Sequence, residues 1–223
     1  MVPNMHRIPS RSLLEYVVAA AMRIDAAVGG TLQVCTGERS LDLLLYRGFD
    51  GDFPDKMATI LAGGGSACGQ AMAEHRRVVV RDVDHDPGFE DHLDLVHSCN
   101  VRAVQATPLL DSGRRLLGVL STYFAHPHHP STSSLADLDR CCHAAALLLE
   151  CERLKGAIEE LDRKSGMPFR AISPDAAQAA NTARTLLPLL VQDSGQVLLV
   201  KVETNLAFVA TELDALHRRI AVA

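Results

Sequence analysis

The chain has 223 residues, 48% of them apolar, enough for one well-packed domain and an extension. Its formal net charge is −5, Trp is absent and no basic tract stands out. That composition argues against a nucleic-acid backbone, a base-stacking surface or an anionic membrane face as partner.

The opening stretch SRSLLEYVVAAAMRIDAA carries Glu15 and Arg23 among Leu14, Val17, Val18, Ala21 and Ile24 at helical spacing. It reads as an amphipathic helix, not as a signal peptide or a membrane span, and the protein is expected to be cytoplasmic. GGTLQVC and SLDLLLYRGF, separated by TGER, predict a β-hairpin. DFPDKMATIL predicts a short helix, broken by Gly63-Gly64-Gly65. Ser66 then stands where an N-cap would open the helix ACGQAMAEH. RVVVRDV predicts a strand, and Asp86-Pro87 a capped start for the helix GFEDHLDLVHSCN. RAVQATPLLDSGRRLLGVLSTYF follows as a second hairpin, and the loop AHPHHPSTSS leads into a long helix from about Leu135 to Lys164.

That helix changes character along its length. Leu135, Leu138, Cys142, Ala145 and Leu149 make its first half apolar on several sides, as packing on a sheet requires. Its second half narrows to Leu147, Cys151, Leu154, Ile158 and Leu161, a heptad seam. After SGMP, Ser173 and Pro174 predict a further helix that Pro188 kinks or ends. From Gln196 to Ala223 the spacing of Leu199, Val202, Leu206, Val209, Leu213, Leu216 and Ile220 predicts a last helix, although QVLLVKVE alone also fits a strand. Two unpaired seams predict a homodimer held by helices. The alternative is that the two seams cover each other within one chain.

The strings LQVC, LLLYRGF, GSACGQAM, RVVVRDVDHDPGFE, VRAVQATPLL, RRLLGVLSTYF and HPSTSSLADLD occur in the order shown by a bacterial subgroup of GAF domains found in sensor kinases and as short stand-alone proteins. From Ser12 to Glu152 the chain resembles that family. The resemblance implies an α+β fold in α/β/α layers. An antiparallel sheet of five or six strands would have the first and last helices on one face. Small helices and loops would cover the other, often around a cavity for a small molecule. The implied organisation is a tail over 1–11, a GAF domain over 12–152, a connecting coiled-coil helix over 153–164 and a helical extension over 165–223.

The second hairpin keeps polar side chains in apolar runs. If Leu110 pairs with Leu116, Gln105 faces Ser121 and Thr107 faces Val119. Gln105, Thr107, Ser121 and Tyr123 then form one polar stripe, with Pro108 implying a bulge or an unpaired position. Such a stripe suits a pocket for a small ligand between the sheet and the segment 63–100. The candidate ligand-binding residues are Gln105, Thr107, Ser121, Tyr123, Cys68 and His92. A core filled by its own side chains is the plainer alternative.

Other constellations carry less. In RDVDHDPGFEDHLD, Pro87 and Leu93 occupy positions where an EF-hand needs Gly and Glu, so Asp86 reads as a helix cap and the other carboxylates as solvated. His126, His128 and His129 read as an exposed loop, with no metal site. GGGSACGQ lacks the GK[ST] of a P-loop. Cys142-His143 follows the last hairpin, whereas the bilin-attaching pair of phytochrome-like GAF domains precedes it. His217 lies too near the chain end to resemble a kinase phosphoacceptor box usefully. Six cysteines without a CxxC suggest no disulfide framework.

The expectation is a non-catalytic sensory module that relays ligand binding through helical dimerisation to a downstream signalling protein. No cofactor is specified. Two alternatives stand beside it. One is a thiol enzyme of the free methionine sulfoxide reductase type built on Cys35, Cys68 and Cys99. The other is an adaptor with a filled pocket.

Overall fold

The computed structural model describes residues 11–37, 39–51, 53–61, 65–111, 113–166, 168–169 and 173–192, with Glu203, Leu206, Ala207, Val209, Thr211 and Ala215 beyond them. In chain order the elements are α1 (Arg11–Ile24), β1 (Gly29–Cys35), β2 (Ser40–Arg47), α2 (Phe53–Lys56), β3 (Thr59–Leu61), α3 (Ala67–Glu74) and β4 (Val78–Val80). Two 3-10 turns follow (Val83–His85 and Pro87–His92), then α4 (Leu93–Ser98), β5 (Ala103–Leu110), β6 (Leu116–Phe124), α5 (Thr132–Ser165) and α6 (Pro174–Gln192). The six strands form one antiparallel sheet in the order β3-β2-β1-β6-β5-β4. The expected α+β fold is present.

β3 corrects the expectation of a single helix over DFPDKMATIL. The helix is one turn long, and Thr59, Ile60 and Leu61 pair instead with Asp42, Leu41 and Ser40 at the sheet edge. A single turn is weakly held by its own hydrogen bonds, and a sheet edge offers the following residues a ladder. Both expected caps are present, but Asp86 opens a 3-10 turn, and of the helix expected over GFEDHLDLVHSCN only Leu93–Ser98 is α-helical. Ser66 Oγ accepts from Gly69 N at 3.1 Å, and Asp86 Oδ1 accepts from Gly88 N at 2.9 Å. Ser131 caps α5, which starts three residues earlier than the apolar pattern alone indicated.

Alternation along the strands divides the core in two. On one face, Leu32, Leu45, Leu109 and Leu120 meet Leu14, Val17 and Val18 of α1 and Leu138, Ala145 and Leu148 of α5. Gly30 belongs to this face: a Cβ there would lie 2.9 Å from Met22, so the missing side chain lets α1 sit directly on β1. On the other face, Val104, Ala106, Val119 and Tyr123 meet Phe53, Cys68, Ala71, Phe89 and Val96 of the short helices.

The seam of α5 is not left open. Leu147, Leu154 and Leu161 are buried in the same apolar cluster as Phe169, Ala176, Ala179 and Ala183 of the following segment, together with Leu206 and Val209. The described part of the extension packs back on α5 of its own chain, the arrangement given above as the alternative to a homodimer. α6 runs on through Pro188 to Gln192. Of the last predicted seam, Leu199, Val202, Leu213, Leu216 and Ile220 lie outside the described residues, as does His217.

Arg77 stands between α3 and β4 and reaches across to the helical face. Its Nε donates to Thr107 Oγ1 at 2.9 Å, and its Nη2 pairs with Asp139 of α5. His128 is not loosely exposed: its ring stacks on Phe124 at 3.7 Å between centroids. Its Nε2 lies 3.2 Å from Asp25 Oδ2, off the line of a hydrogen bond.

Candidate functional site

The hairpin register decides which polar groups meet. Leu110 does pair with Leu116, but Leu109 pairs with Gly118, so Leu117 is an extra residue in β6. One inserted residue exchanges the faces of everything beyond it. Val104 therefore pairs with Tyr123, Gln105 with Thr122, Ala106 with Ser121 and Thr107 with Leu120. The expected single stripe is split. Ser121 and Tyr123 face the short helices, while Gln105 and Thr107 face α5. Thr107 is occupied there by Arg77.

Facing the short helices, β1 supplies what β5 does not. Thr31 pairs with Ser121 and Gln33 with Val119, so Thr31, Gln33, Ser121 and Tyr123 share one face. Thr31 Oγ1 and Tyr123 Oη share a hydrogen bond of 3.2 Å. Cys68 Sγ lies 3.3 Å from Ser121 Oγ and 3.9 Å from Tyr123 Oη. These groups are buried and satisfy one another. Burial pushes the Cys68 thiol up, against the opposing hydrogen bonds from Ser121 and Tyr123. Burial, and then the neighbouring Cys68, push the Tyr123 phenol well above its usual value. Both are neutral at physiological pH. Gln33 differs: its Nε2 is 3.5 Å from Met57 O, and its buried Oε1 has no hydrogen-bond partner.

Next to this polar floor lies a cavity of about 20 Å³, bounded by Phe53, Met57, Cys68, Phe89, His92 and Tyr123 with Ser66, Ala67, Leu95, Val96 and Val104. That volume holds about one water molecule. Among the described residues, the expected hollow of small-ligand size is not open in this conformation. Aromatic rings take up the space instead: Phe49 and Phe53 stack at 3.8 Å, and both stand edge-on to Tyr123 at 5.0 and 5.8 Å. Gly29 makes the seat for Phe49, because a Cβ there would fall 2.1 Å from the ring.

Of the candidate residues, Cys68, His92 and Tyr123 border the cavity and Ser121 supports it through Cys68; Gln105 and Thr107 are on the opposite face. Thr31 and Gln33 were missed, although GGTLQVC places them two apart on one side of a strand. Phe53 and Met57 were hidden in the short helix.

The family description of the GAF domain matches residues 13–149. This chain belongs to the GAF domain family. A methyl sulfide methyltransferase-associated sensor of Methanosarcina acetivorans is 22% identical over 142 residues, 60% of this chain and 14% of that protein. The chain thus spans a small part of that relative's length. Among solved structures, the GAF domain of a phosphoenolpyruvate-protein phosphotransferase from Coxiella burnetii is 19% identical. It matches with a TM-score of 0.56, over 70% of this chain and 88% of its own. A GAF domain/HD domain protein from Geobacter sulfurreducens matches at a TM-score of 0.56 with 11% identity, over 66% of this chain and 95% of its own. At these identities the likeness speaks for the fold. In GAF terms, the cavity lies between the sheet and the short helices, the side on which the resemblance implied a pocket.

The surface beside the cavity is held by ion pairs rather than solvated carboxylates. Asp82 accepts from Arg102 Nη2 at 2.9 Å and lies 2.9 Å from His85 Nδ1, while Asp84 lies 2.6 Å from His97 Nε2. Arg102, through its hydrogen bond, is the main cause that holds the Asp82 carboxyl below the usual carboxylate range. Among the described residues no group of three or more His, Cys, Asp or Glu is placed to hold a metal ion, and no helix is long and apolar enough to cross a membrane.

Proposed function

We propose that this chain is a sensory GAF module without catalytic activity. A small molecule enters between the sheet and the short helices, and the resulting shift passes to α5 and from there to a signalling protein. One observation carries the reading: Thr31, Cys68, Ser121 and Tyr123 form a hydrogen-bonded polar floor beside a cavity in an otherwise apolar layer. A floor of this kind gives a ligand orientation while aromatic walls give it contact. The sensor of Methanosarcina acetivorans supports the class of function. Since the cavity is nearly closed, binding must shift the short helices, and the ligand acts through its different affinities for the closed and open states.

The volume favours a second reading, an adaptor whose pocket is filled by its own Phe49 and Phe53. Native mass spectrometry of freshly purified protein separates the two. A bound small molecule at one per chain supports the sensor, and a bare chain that no small molecule stabilises supports the adaptor. A thiol enzyme is disfavoured by the burial of Cys68, since the thiolate is the nucleophile. A thiol-dependent sulfoxide reduction assay on the unmodified protein tests this: no turnover is expected, and turnover would restore the thiol reading.

A further inference from the structure

We infer that the ligand of this site is a neutral, planar ring system carrying a hydrogen-bond donor, received by the wall of Phe53 and Met57 and by the amide oxygen of Gln33. The inference rests on the sensory reading above and specifies its ligand class.

Three observations carry it. First, the walls are made for rings. Phe53, Phe89, Tyr123 and His92 border the cavity with the Met57 thioether, and Phe53 is already half of a face-to-face stack on Phe49. Aromatic faces and thioether sulfur favour a flat aromatic guest over a branched aliphatic one. The side that must yield is also the weaker one. Phe53 belongs to the four-residue α2, whereas Val104 and Tyr123 belong to the central sheet.

Second, among the described residues the cavity border carries no permanently charged side chain, and His92 is its one ionisable base. It contains no Lys, Arg, Asp or Glu, and burial keeps Cys68 and Tyr123 in their neutral forms. A cationic ligand would lose its hydration without gaining a counter-ion, and an anionic one would find only the His92 ring and no fixed charge.

Third, the polar floor has one unmet need. The hydroxyls and the thiol serve each other, but Gln33, which does not itself border the cavity, lies on the same sheet face with its Nε2 3.5 Å from Met57 O, and its buried Oε1 is unpartnered. A buried amide oxygen left alone is costly, and a ligand N–H or O–H arriving past Met57 supplies what it lacks.

The absence of Trp makes indole a probe whose emission can be read without a protein tryptophan background. Three probes are compared by fluorescence and calorimetry: indole, benzothiophene with the same outline and no N–H, and indole-3-carboxylate with a charge. Indole should bind at one per chain, benzothiophene about tenfold more weakly for the loss of one hydrogen bond, and the carboxylate at least tenfold more weakly than either. Gln33→Met should weaken indole about tenfold and leave benzothiophene unchanged. Equal affinities for indole and benzothiophene, or an equal effect of Gln33→Met on both, overturn the donor. Tight binding of the carboxylate overturns neutrality. Phe53→Ala guards against a wall too stiff for the probes. If neither it nor the unmodified protein binds any of them while native mass spectrometry finds a non-aromatic occupant, the ring assignment fails and the sensory reading stands. If there is no occupant either, both fail.

Discussion

Replacing Leu161 by alanine tests the folded-back extension. Leu161 is fully buried in α5, in the cluster that holds Phe169, Ala176 and Ala183. Truncating a fully buried leucine costs about 2–5 kcal/mol, the upper end applying where the surroundings cannot collapse. Alanine and leucine differ little in helix propensity, so the loss reports packing rather than the helix itself. If the extension opens as a unit, a loss of that size raises its open population by at least roughly thirtyfold. Hydrogen exchange read by mass spectrometry should then show α6 losing protection by this factor while β5 and β6 keep theirs. Arg163→Ala, at an exposed position one turn from the chain's next break, serves as the control and should change stability by less than about 0.5 kcal/mol. The measurement is repeated over a hundredfold range of protein concentration. A packing partner in the same chain gives a concentration-independent loss, whereas a partner copy gives one that depends on concentration. A cost no larger than that of the control, or protection that follows concentration, would refute the packing described for α5 and α6.

Asp82→Asn should lower stability near neutral pH and flatten its acid dependence. The carboxyl titrates below its usual range in the folded state, so its contribution is present above the unfolded-state value of roughly 4 and is lost as pH falls through the lower folded value. Urea unfolding at several pH values checks this, and identical slopes for the two proteins below pH 4 would contradict it. Gly29→Ala should displace the Phe49 ring from its seat and cost about 1–3 kcal/mol. Near-UV circular dichroism and thermal unfolding read the effect, and an unchanged spectrum would mean the ring does not lie there. Cys142, whose thiol burial pushes up to about 12, should resist iodoacetamide at pH 8 until the chain unfolds, because roughly one molecule in ten thousand is then a thiolate. Peptide mapping that finds it alkylated as fast as in denatured protein would refute its burial.

Most of the strand and helix order was legible because alternation and caps are local properties. Ser66 and Asp86 act on backbone groups three and two residues away, and each stands directly before the element it opens; Ser131, which opens α5, was read as loop. The site was legible only in part, for a reason that lies in one residue. A bulge in the run Leu116-Leu117 leaves no mark in composition, since either leucine fits either face, yet it moved Gln105 and Thr107 to the helical side. Cys68 was found because it stands near the start of a helix, and Ser121 and Tyr123 because they are polar groups in an apolar run. Thr31 and Gln33 show the same signal, but in a strand whose neighbours across the sheet were unknown. The heptad seam was read correctly as an apolar stripe in need of cover. Periodicity states the need and does not say which chain meets it.

The sheet has one further property. Among the described residues, its two outermost strands, β3 and β4, are each three residues long, against seven to nine for the four between them. An unpaired strand edge is a template on which a second chain can add its own strand, and the hazard grows with the length of the ledge. Here either ledge offers no more than a few hydrogen bonds. β4 is also followed directly by the exposed Arg81, a charged side chain of the kind that blunts a strand edge. Contact between copies of this chain is thereby steered away from strand addition, even though a broad six-stranded sheet lies at its centre.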